Sequence, residues 1–144
     1  MKKDFSYGLI PMYEDGDKIE FLLIQHIEGH WAFPKGHAEN QESPLETSQR
    51  EFEEETGITQ YRVNEEIVFS EEYYPQQNGE ILHKTVTYYP AQVSDKKVTS
   101  QTKEVADYGW FEYQAAMEKI TFPGTKKVLR EVRNYLKKNK DSQL

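Results

Sequence analysis

The sequence predicts an α/β fold in which a central mixed β-sheet carries helices on its faces. Two pairs of apolar segments, each joined by a turn sequence that contains Gly, predict β-hairpins. A capped segment in the middle of the chain and an amphipathic segment near its end predict two helices. Strands and helices mixed in this order bury their apolar faces as stacked layers. The 144 residues are enough for one domain with a real core.

The first hairpin is predicted from Phe5 to Tyr13 and from Ile19 to Ile27, two segments rich in apolar and aromatic residues. The turn sequence Glu14-Asp15-Gly16-Asp17 lies between them, and its Gly allows the positive φ that tight turns need. We therefore expect two antiparallel strands at the start of the chain.

The first helix is predicted from Ser43-Pro44-Leu45-Glu46, a capping box with Pro at the first helical position. Gly57 supplies a C-terminal stop. These two signals predict a helix from about Pro44 to Thr56.

Asn78-Gly79 predicts a second hairpin, which joins Ile67 to Tyr74 with Ile81 to Val93. In the later segment, residues alternate so that one face can be buried while the other faces a ligand or solvent. The two alternating sets are Val86, Tyr88 and Pro90 on one face, and Thr85, Thr87 and Tyr89 on the other.

The last third of the chain predicts a short strand around Tyr108 to Phe111 and a basic amphipathic helix. The apolar stripe of this helix consists of Val128, Leu129, Val132, Tyr135 and Leu136. We expect the stripe to pack on the sheet and the Lys residues to face solvent; a membrane or nucleic-acid role for these Lys residues is the alternative. The polar tail from about Lys137 to Leu144 is expected to fray.

Composition excludes several classes of protein. The chain has no Cys, which rules out a disulfide scaffold, a thiolate zinc site and a cysteine nucleophile. Its 25 acidic and 18 basic residues give a net charge of -7, which disfavours non-specific binding to nucleic acid. The segment from Glu39 to Glu55 holds seven Glu and one Arg, so most of the excess negative charge lies there.

The N-terminal segment predicts a cytoplasmic protein without a membrane partner. Its first apolar run is short, is broken by Gly8 and Pro11, and soon reaches acidic residues, unlike a signal peptide. No apolar run approaches the ~18 residues that read as a membrane span. The sequence carries no signal for oligomeric state.

Glu51, Glu54 and Glu55 fall at positions i, i+3 and i+4 of the first predicted helix and share one face. Like charges this close repel, and the helix macrodipole disfavours anions near the C-terminus. Arg50 is adjacent, but one guanidinium does not neutralise three carboxylates. A divalent cation does, and hard oxygen ligands select Mg²⁺, Mn²⁺ or Ca²⁺ over zinc. A solvated acidic face is the alternative.

A cationic loop precedes this helix and reads His30-Trp31-Ala32-Phe33-Pro34-Lys35-Gly36-His37. Gly36 permits close approach of the backbone. Cations that face a carboxylate-bound metal suit an anionic substrate that bridges both, and a polyphosphate fits this description best. We therefore expect a polyphosphate as the small-molecule partner.

These residues resemble the Nudix box, G-x5-E-x7-R-E-U-x-E-E-x-G-U with U a bulky apolar residue, at every defined position. The matching residues are Gly36, Glu42, Arg50-Glu51-Phe52, Glu54-Glu55 and Gly57-Ile58. The resemblance implies the Nudix fold, an α/β/α sandwich, in one Nudix hydrolase domain over residues 1–144. It also implies metal-dependent hydrolysis of a nucleoside diphosphate linked to another moiety, with two or three Mg²⁺ or Mn²⁺ ions.

The resemblance also implies roles for individual residues. The implied metal ligands are Glu51, Glu54, Glu55, Glu104 and the backbone carbonyl of Gly36. Arg50, with Glu42 as a partner, would orient the carboxylates. Family members often take a further Glu from a loop near a late strand, which is why Glu104 is included. Either Glu51 or Glu104 would act as the general base.

Segments outside the box resemble the asymmetrical diadenosine tetraphosphate hydrolases of the animal and archaeal type. These segments are Glu20 to Gln25, His30 to His37, Lys84 to Tyr88 and Glu104 to Trp110. The resemblance implies ATP and AMP as products and a nucleotide as the small-molecule substrate. The implied phosphate contacts are His30, Lys35, His37 and Lys84. Tyr88 would stack adenine, or would lie in the core, since Tyr favours strands in any case.

Other functions compete with this interpretation. About 16 positions after the box, a Tyr is typical of dinucleoside polyphosphate hydrolases and a Pro is typical of ADP-ribose pyrophosphatases. This chain has Tyr73-Tyr74-Pro75 there, so a shift of one residue in the alignment changes the assignment. We favour the Tyr alignment because the loop and strand segments agree with it. The alternatives are hydrolysis of ADP-ribose, a nucleoside triphosphate or an RNA 5′ end, the last being the exception to an otherwise disfavoured nucleic-acid partner. A non-catalytic nucleotide-binding module is a further alternative, and the intact carboxylate set argues against it.

Overall fold

Four strands, a helix, five strands and two helices follow one another in a computed structural model that describes residues 1–100 and 102–142. The strands are β1 Lys2–Asp15, β2 Lys18–His26, β3 Trp31–Ala32, β4 Lys35–Gly36, β5 Tyr61–Val63, β6 Phe69–Tyr73, β7 Gln76–Gln77, β8 Glu80–Val93 and β9 Val105–Glu112. The helices are α1 Pro44–Thr56, α2 Tyr113–Lys119 and α3 Pro123–Ser142. No helix among the described residues is long and apolar enough to cross a membrane.

The sheet is built around β1 and β8, which pair in parallel from Lys2 with Leu82 to Met12 with Gln92. The strand order along the sheet is β3-β2-β1-β8-β5. In addition, β4 pairs with β1, β6 and β7 pair with β8, and β9 pairs with β2. These other pairs are antiparallel, so the sheet is mixed, as the sequence predicts.

Two separate cores cover the two faces of the sheet. Successive residues of a strand point to opposite faces, so Leu9 and Ile10 of β1 enter different cores. The larger core joins the sheet to α2 and α3 through Ala116, Ile120, Val128, Leu129 and Val132. The smaller core joins it to α1 through Phe52, with Leu22, Ile58 and Ala91. This is the α/β/α layering of the predicted fold.

The structure confirms both predicted hairpins. Asp15 pairs with Lys18, so Gly16 and Asp17 form a two-residue loop, and Gly16 has a φ of 63°. In the second hairpin, Asn78 and Gly79 have φ values of 53° and 78°, as a type I′ turn requires. The predicted boundaries of α1 are also confirmed.

The end of the chain differs from the prediction in detail. β9 is longer than the predicted Tyr108–Phe111 because it pairs along β2 from Val105 to Glu112. α2 was not predicted, since it spans only 7 residues and its N-cap, Glu112, makes no side-chain cap bond. α3 runs into the tail as far as Ser142, and Gln143 and Leu144 lie outside the described residues.

Candidate active site

α1 carries the acidic face, and its ends are fixed by local chemistry. The hydroxyl of Ser43 accepts from the backbone N–H of Glu46 at 3.1 Å, while the carboxylate of Glu46 accepts from the backbone N–H of Ser43 at 3.1 Å. Gly57 ends the helix with a φ of 73°. The last turn contains no basic residue, so the helix itself does nothing to offset its C-terminal carboxylates.

Arg50 gathers the carboxylates around one guanidinium. Its Nε donates to Glu42 at 2.6 Å, and its Nη1 donates to Glu51 at 3.0 Å and to Glu54 at 3.2 Å. Its Nη2 donates to the carbonyl of His37 at 2.9 Å, which ties the end of the cationic loop to α1. The hydrogen bond from Arg50 lowers the pKa of Glu42 to about 2. Arg50 therefore sets the positions of three box carboxylates at once.

Glu51 and Glu55 are carboxylates whose ionisation the fold disfavours. Glu55 is 2% exposed, and burial, followed by the charge of Glu51, raises its pKa to about 9. Burial also raises the pKa of Glu51. The backbone N–H of Lys35 donates to Oε2 of Glu55 at 3.2 Å. A cation placed here would relieve both the desolvation and the mutual repulsion of the two carboxylates.

Gly36 lies directly against the carboxylate of Glu51. A Cβ at this position would overlap all three atoms of that carboxylate group, so any side chain here would displace the carboxylate of Glu51. Gly at this position therefore lets β4 and the present position of Glu51 coexist.

The donor set fits a divalent cation by its chemistry, because all its members are hard oxygen atoms. In the part of the chain that the structure describes, no group of three or more His, Asp or Glu side chains stands in a ready coordination arrangement. Arg50 holds Glu51 and Glu54, and Lys35 holds Glu55. Each of these bonds uses one oxygen of its carboxylate, so the second oxygen of Glu51, Glu54 and Glu55 is left for a cation.

Glu104 is brought to the same region by β9. It lies in the turn before that strand, and its carbonyl accepts from the backbone N–H of Ile27 at 2.9 Å. Its side chain is exposed. Its negative charge helps to raise the pKa of both Glu51 and Glu55, although burial and other nearby groups have larger effects on these two pKa values.

Lys35 and His30 form one part of the predicted cationic set. Burial is the main cause that lowers the pKa of Lys35, and its ammonium makes no hydrogen bond or ion pair within residues 1–100 and 102–142. The imidazole of His30 stacks on His26 with a centroid distance of 4.7 Å, and Phe122 lies 5.5 Å from it. Burial and the neighbouring His26 lower the pKa of His30. Lys35 is thus a half-buried ammonium in the field of Glu71, Glu55 and Asp4.

His37 and Lys84 form the other part, and both contact Asp4. Nε2 of His37 lies 3.0 Å from each carboxylate oxygen of Asp4, and Nζ of Lys84 lies 3.6 Å from Oδ2. Asp4 and Lys84 are partners in the register of β1 and β8. The sequence interpretation did not include Asp4, which is far from the box along the chain.

Comparison with known proteins identifies the family. The family model for the NUDIX domain matches residues 3–132. The chain belongs to the Nudix family. It is 36% identical over 137 residues to the asymmetrical bis(5′-nucleosyl)-tetraphosphatase of Mus musculus, and the match covers 92% of this chain and 90% of the mouse protein.

Solved Nudix structures agree with this assignment. A C. elegans Ap4A hydrolase in a binary complex matches with a TM-score of 0.80 and 26% identity, over 92% of this chain and 96% of that chain. The NUDIX domain of Shewanella oneidensis NrtR, solved with ADP ribose, shares the fold with a TM-score of 0.76 at 15% identity, over 94% of this chain and 90% of that chain. The chain is therefore a Nudix hydrolase of the Ap4A hydrolase type, and Nudix hydrolases generally use divalent metal ions.

The structure corrects the assignment of Tyr88 to adenine stacking. This residue is fully buried in the Nudix core, where its ring packs edge-on against Phe33 at 5.6 Å. Its hydroxyl donates to Oε1 of Glu71 at 2.9 Å. A ring without an exposed face does not stack on a ligand, so the core alternative applies.

Sequence reasoning missed a buried carboxylate and two exposed aromatic rings. Glu71 is 6% exposed and also accepts from the hydroxyl of Thr125 at 2.9 Å. Glu71 lies two residues after Phe69 in a strand, so the alternation of side chains could have indicated that both face the core. Phe122 beside His30 is exposed, and Tyr74 is exposed and stacks on His83 at 4.8 Å. No motif marks Phe122, whereas Tyr74 lies in the Tyr73-Tyr74-Pro75 segment used to choose the substrate class, without a contact role of its own.

Proposed function

We propose that this Nudix hydrolase cleaves diadenosine tetraphosphate to ATP and AMP, with two or three Mg²⁺ or Mn²⁺ ions. The observation that carries the proposal is the position of β4 between two charged sets. Gly36 abuts the carboxylate of Glu51 on α1, while the ammonium of Lys35 lies in the field of Lys84 from β8. A polyphosphate bridging a carboxylate-bound metal and a cation cluster would fit this arrangement.

We assign metal binding to Glu51, Glu54, Glu55, Glu104 and the carbonyl of Gly36. Bound Mg²⁺ supplies charge stabilisation for the phosphates and lowers the pKa of a water molecule. Arg50 holds the carboxylates in place before binding, with Glu42 as its own anchor. Glu51 or Glu104 accepts the proton from the attacking water.

We assign the polyphosphate chain to His30, Lys35, His37 and Lys84. Burial lowers the pKa of His30, which favours the neutral imidazole. We therefore expect His30 to contact phosphate through a hydrogen bond more than through a positive charge. Lys35 brings a basic side chain to a half-buried position, where electrostatic attraction to phosphate is screened less than at the exposed surface. The exposed rings of Phe122 and Tyr74 replace Tyr88 as the surfaces for base stacking.

Product analysis tests the substrate assignment. Diadenosine tetraphosphate, ATP, ADP-ribose and a 5′-triphosphate RNA would each be incubated with Mg²⁺ and with Mn²⁺, and products separated by anion-exchange chromatography. We expect ATP and AMP in equal amounts from the first substrate and the highest kcat/KM for it. Rapid turnover of a mononucleotide without ATP and AMP from the dinucleotide would eliminate this substrate assignment.

Glu54→Gln tests the metal assignment against a matched control one residue away. We expect Glu54→Gln to lose turnover by roughly 10²-fold or more, since several carboxylates hold the metal together. The control is Glu53→Gln, because Glu53 points away and accepts from the hydroxyl of Tyr61 at 2.6 Å. Equal turnover in wild type and Glu54→Gln would contradict the assignment of Glu54 as a metal ligand. The alternative of a non-catalytic nucleotide-binding module would then have to be reconsidered.

A further inference from the structure

One carboxylate lies among the cations that we assign to phosphate binding. Asp4 on β1 is the register partner of Lys84 on β8, so their side chains share a face of the sheet. Nε2 of His37 lies 3.0 Å from both carboxylate oxygens of Asp4, and Nζ of Lys84 lies 3.6 Å from one of them. A single side chain thus engages two of the four proposed phosphate contacts.

Asp4 is ionised in this position. Burial opposes its ionisation, but the hydrogen bond and charge of His37, together with Lys84, hold its pKa below the ordinary value. Its charge also acts on Lys35, the half-buried cation on β4. Asp4 is therefore the carboxylate in direct contact with His37 and Lys84, while Glu71 and Glu55 act more strongly on Lys35.

Asp4 is also accessible to a ligand that approaches these cations. Its side chain is 28% exposed, and the side chain of His37 beside it is 61% exposed. A phosphate that binds His37 or Lys84 would have to replace the carboxylate as their partner. It would also approach a fixed negative charge, and the resulting repulsion grows with the charge of the ligand.

We propose that Asp4 is a specificity-determining residue, an internal carboxylate that competes with substrate phosphate for His37 and Lys84. Its effect is to weaken the binding of highly charged polyphosphates more than that of singly phosphorylated ligands. The inference rests on the proposed function in one respect, namely that substrate phosphates reach these two side chains.

Calorimetric titration of the wild type and Asp4→Asn with tripolyphosphate and with orthophosphate tests the inference. EDTA is present, so that metal-bound phosphate does not contribute. We expect tripolyphosphate to bind Asp4→Asn roughly two- to tenfold more tightly than wild type, as for the loss of one or two exposed ion pairs. The affinity for orthophosphate should increase less than the affinity for tripolyphosphate. Both increases should become smaller at about 0.5 M salt. Unchanged or weaker tripolyphosphate binding would overturn the inference.

Glu72→Gln is the matched control for net charge. Glu72 is a carboxylate on β6 whose side chain is 57% exposed and lies 3.6 Å from Nε2 of His83, so it offers a similar contact outside the cation cluster. We expect this variant to bind tripolyphosphate as wild type does. An equal gain in both variants would attribute the effect to net charge and would also overturn the inference.

A double variant and a substrate assay separate this inference from the proposed function. Adding Lys84→Met to Asp4→Asn should remove most of the gain, because one of the released cations is then missing. If Asp4→Asn binds tripolyphosphate more tightly but wild type does not cleave diadenosine tetraphosphate, only the proposed function fails. If wild type cleaves it and Asp4→Asn shows no gain, only this inference fails.

Discussion

Gly36 is the residue that allows the strand β4 to pass the carboxylates of α1. Because a Cβ there would overlap the carboxylate of Glu51, we expect Gly36→Ala to displace that side chain. Turnover should fall roughly tenfold or more, since small displacements of reacting groups have effects of this size. Steady-state kinetics with Mg²⁺ measures the change.

Gly16→Ala is the control for the Gly36 prediction. Gly16 has a positive φ of 63°, which Gly36 does not, but a Cβ there meets no atom within 4 Å. We expect it to lower the thermal midpoint without changing kcat/KM. Normal turnover in Gly36→Ala would show that the position of Glu51 is not important for catalysis.

The buried carboxyl of Glu55 predicts a pH-dependent stability in the metal-free protein. Its pKa rises to about 9 in the folded chain, against about 4.3 for an unperturbed Glu. Between these values the folded state keeps a proton that the unfolded state releases, so the free energy of unfolding falls as pH rises. The slope is at most about 1.4 kcal/mol per pH unit.

Urea denaturation in EDTA at pH 7 and pH 8.5 measures this slope. The range lies above the lowered pKa values of His26 and His30, so the two imidazoles contribute little. We expect Glu55→Gln to show a smaller decrease in unfolding free energy than wild type. Parallel decreases in the two proteins would mean that Glu55 is ionised in the folded state.

The sequence predicts which residues lie together where helical spacing sets their positions. It does not predict this where contacts between distant parts of the chain set them. The positions i, i+3 and i+4 place Glu51, Glu54 and Glu55 together whatever the rest of the fold does. Strand alternation groups Tyr88 with its neighbours but does not say which face is buried. Asp4 becomes relevant only through strands that are distant in the sequence, so no local pattern indicates it.

At the scale of elements, α3 is fixed to the sheet by a buried polar network as well as by its apolar stripe. Glu71 on β6 accepts from the hydroxyls of Tyr88 and Thr125, each at 2.9 Å. We expect Thr125→Val to destabilise the protein by about 1–3 kcal/mol, because a buried carboxylate oxygen loses its donor. Urea denaturation measures the loss.

Thr85→Val controls for the exchange of Thr for Val itself. The hydroxyl of Thr85 forms no hydrogen bond with the described residues, and its side chain is partly exposed. The free energy of unfolding of the Thr85→Val variant should stay within about 0.5 kcal/mol of the wild-type value. Similar losses in the two variants would mean that the network does not hold α3.

The elements that the sequence predicted carry their own start and stop signals. α1 has a capping box at Ser43 and a left-handed Gly57, and both hairpins have turns with positive φ. The strands β3, β4 and β5 have only two or three residues each and exist through pairing with longer strands. Because this pairing is a property of the assembled sheet, local sequence does not indicate it.

At the scale of the whole molecule, the uneven charge makes stability depend on divalent cations. The chain has a net charge of -7, and Glu39 to Glu55 alone holds seven Glu and one Arg. We expect Mg²⁺ to raise the thermal midpoint, with a gain of about 2.7 kcal/mol when its concentration is 100 times its Kd. Thermal unfolding at matched ionic strength measures this gain.

The variants Glu54→Gln and Glu53→Gln locate the origin of the Mg²⁺ effect. Each removes one negative charge from α1, but only Glu54 accepts a hydrogen bond from Arg50. We expect the gain to shrink in Glu54→Gln and to persist in Glu53→Gln. Equal gains in both would indicate general screening of the acidic segment instead of a defined site.

The parallel pairing of β1 with β8 also affects how the chain reaches its native state. Each strand has 14 residues, and the pairing joins Lys2 to Leu82. During synthesis β1 leaves the ribosome long before β8, so β1 can pair early with β2 and β4 but not with β8. The centre of the sheet closes through a long loop, which predicts slow folding and high contact order. Until it closes, Leu9 and Ile10 are exposed, and aggregation competes with folding.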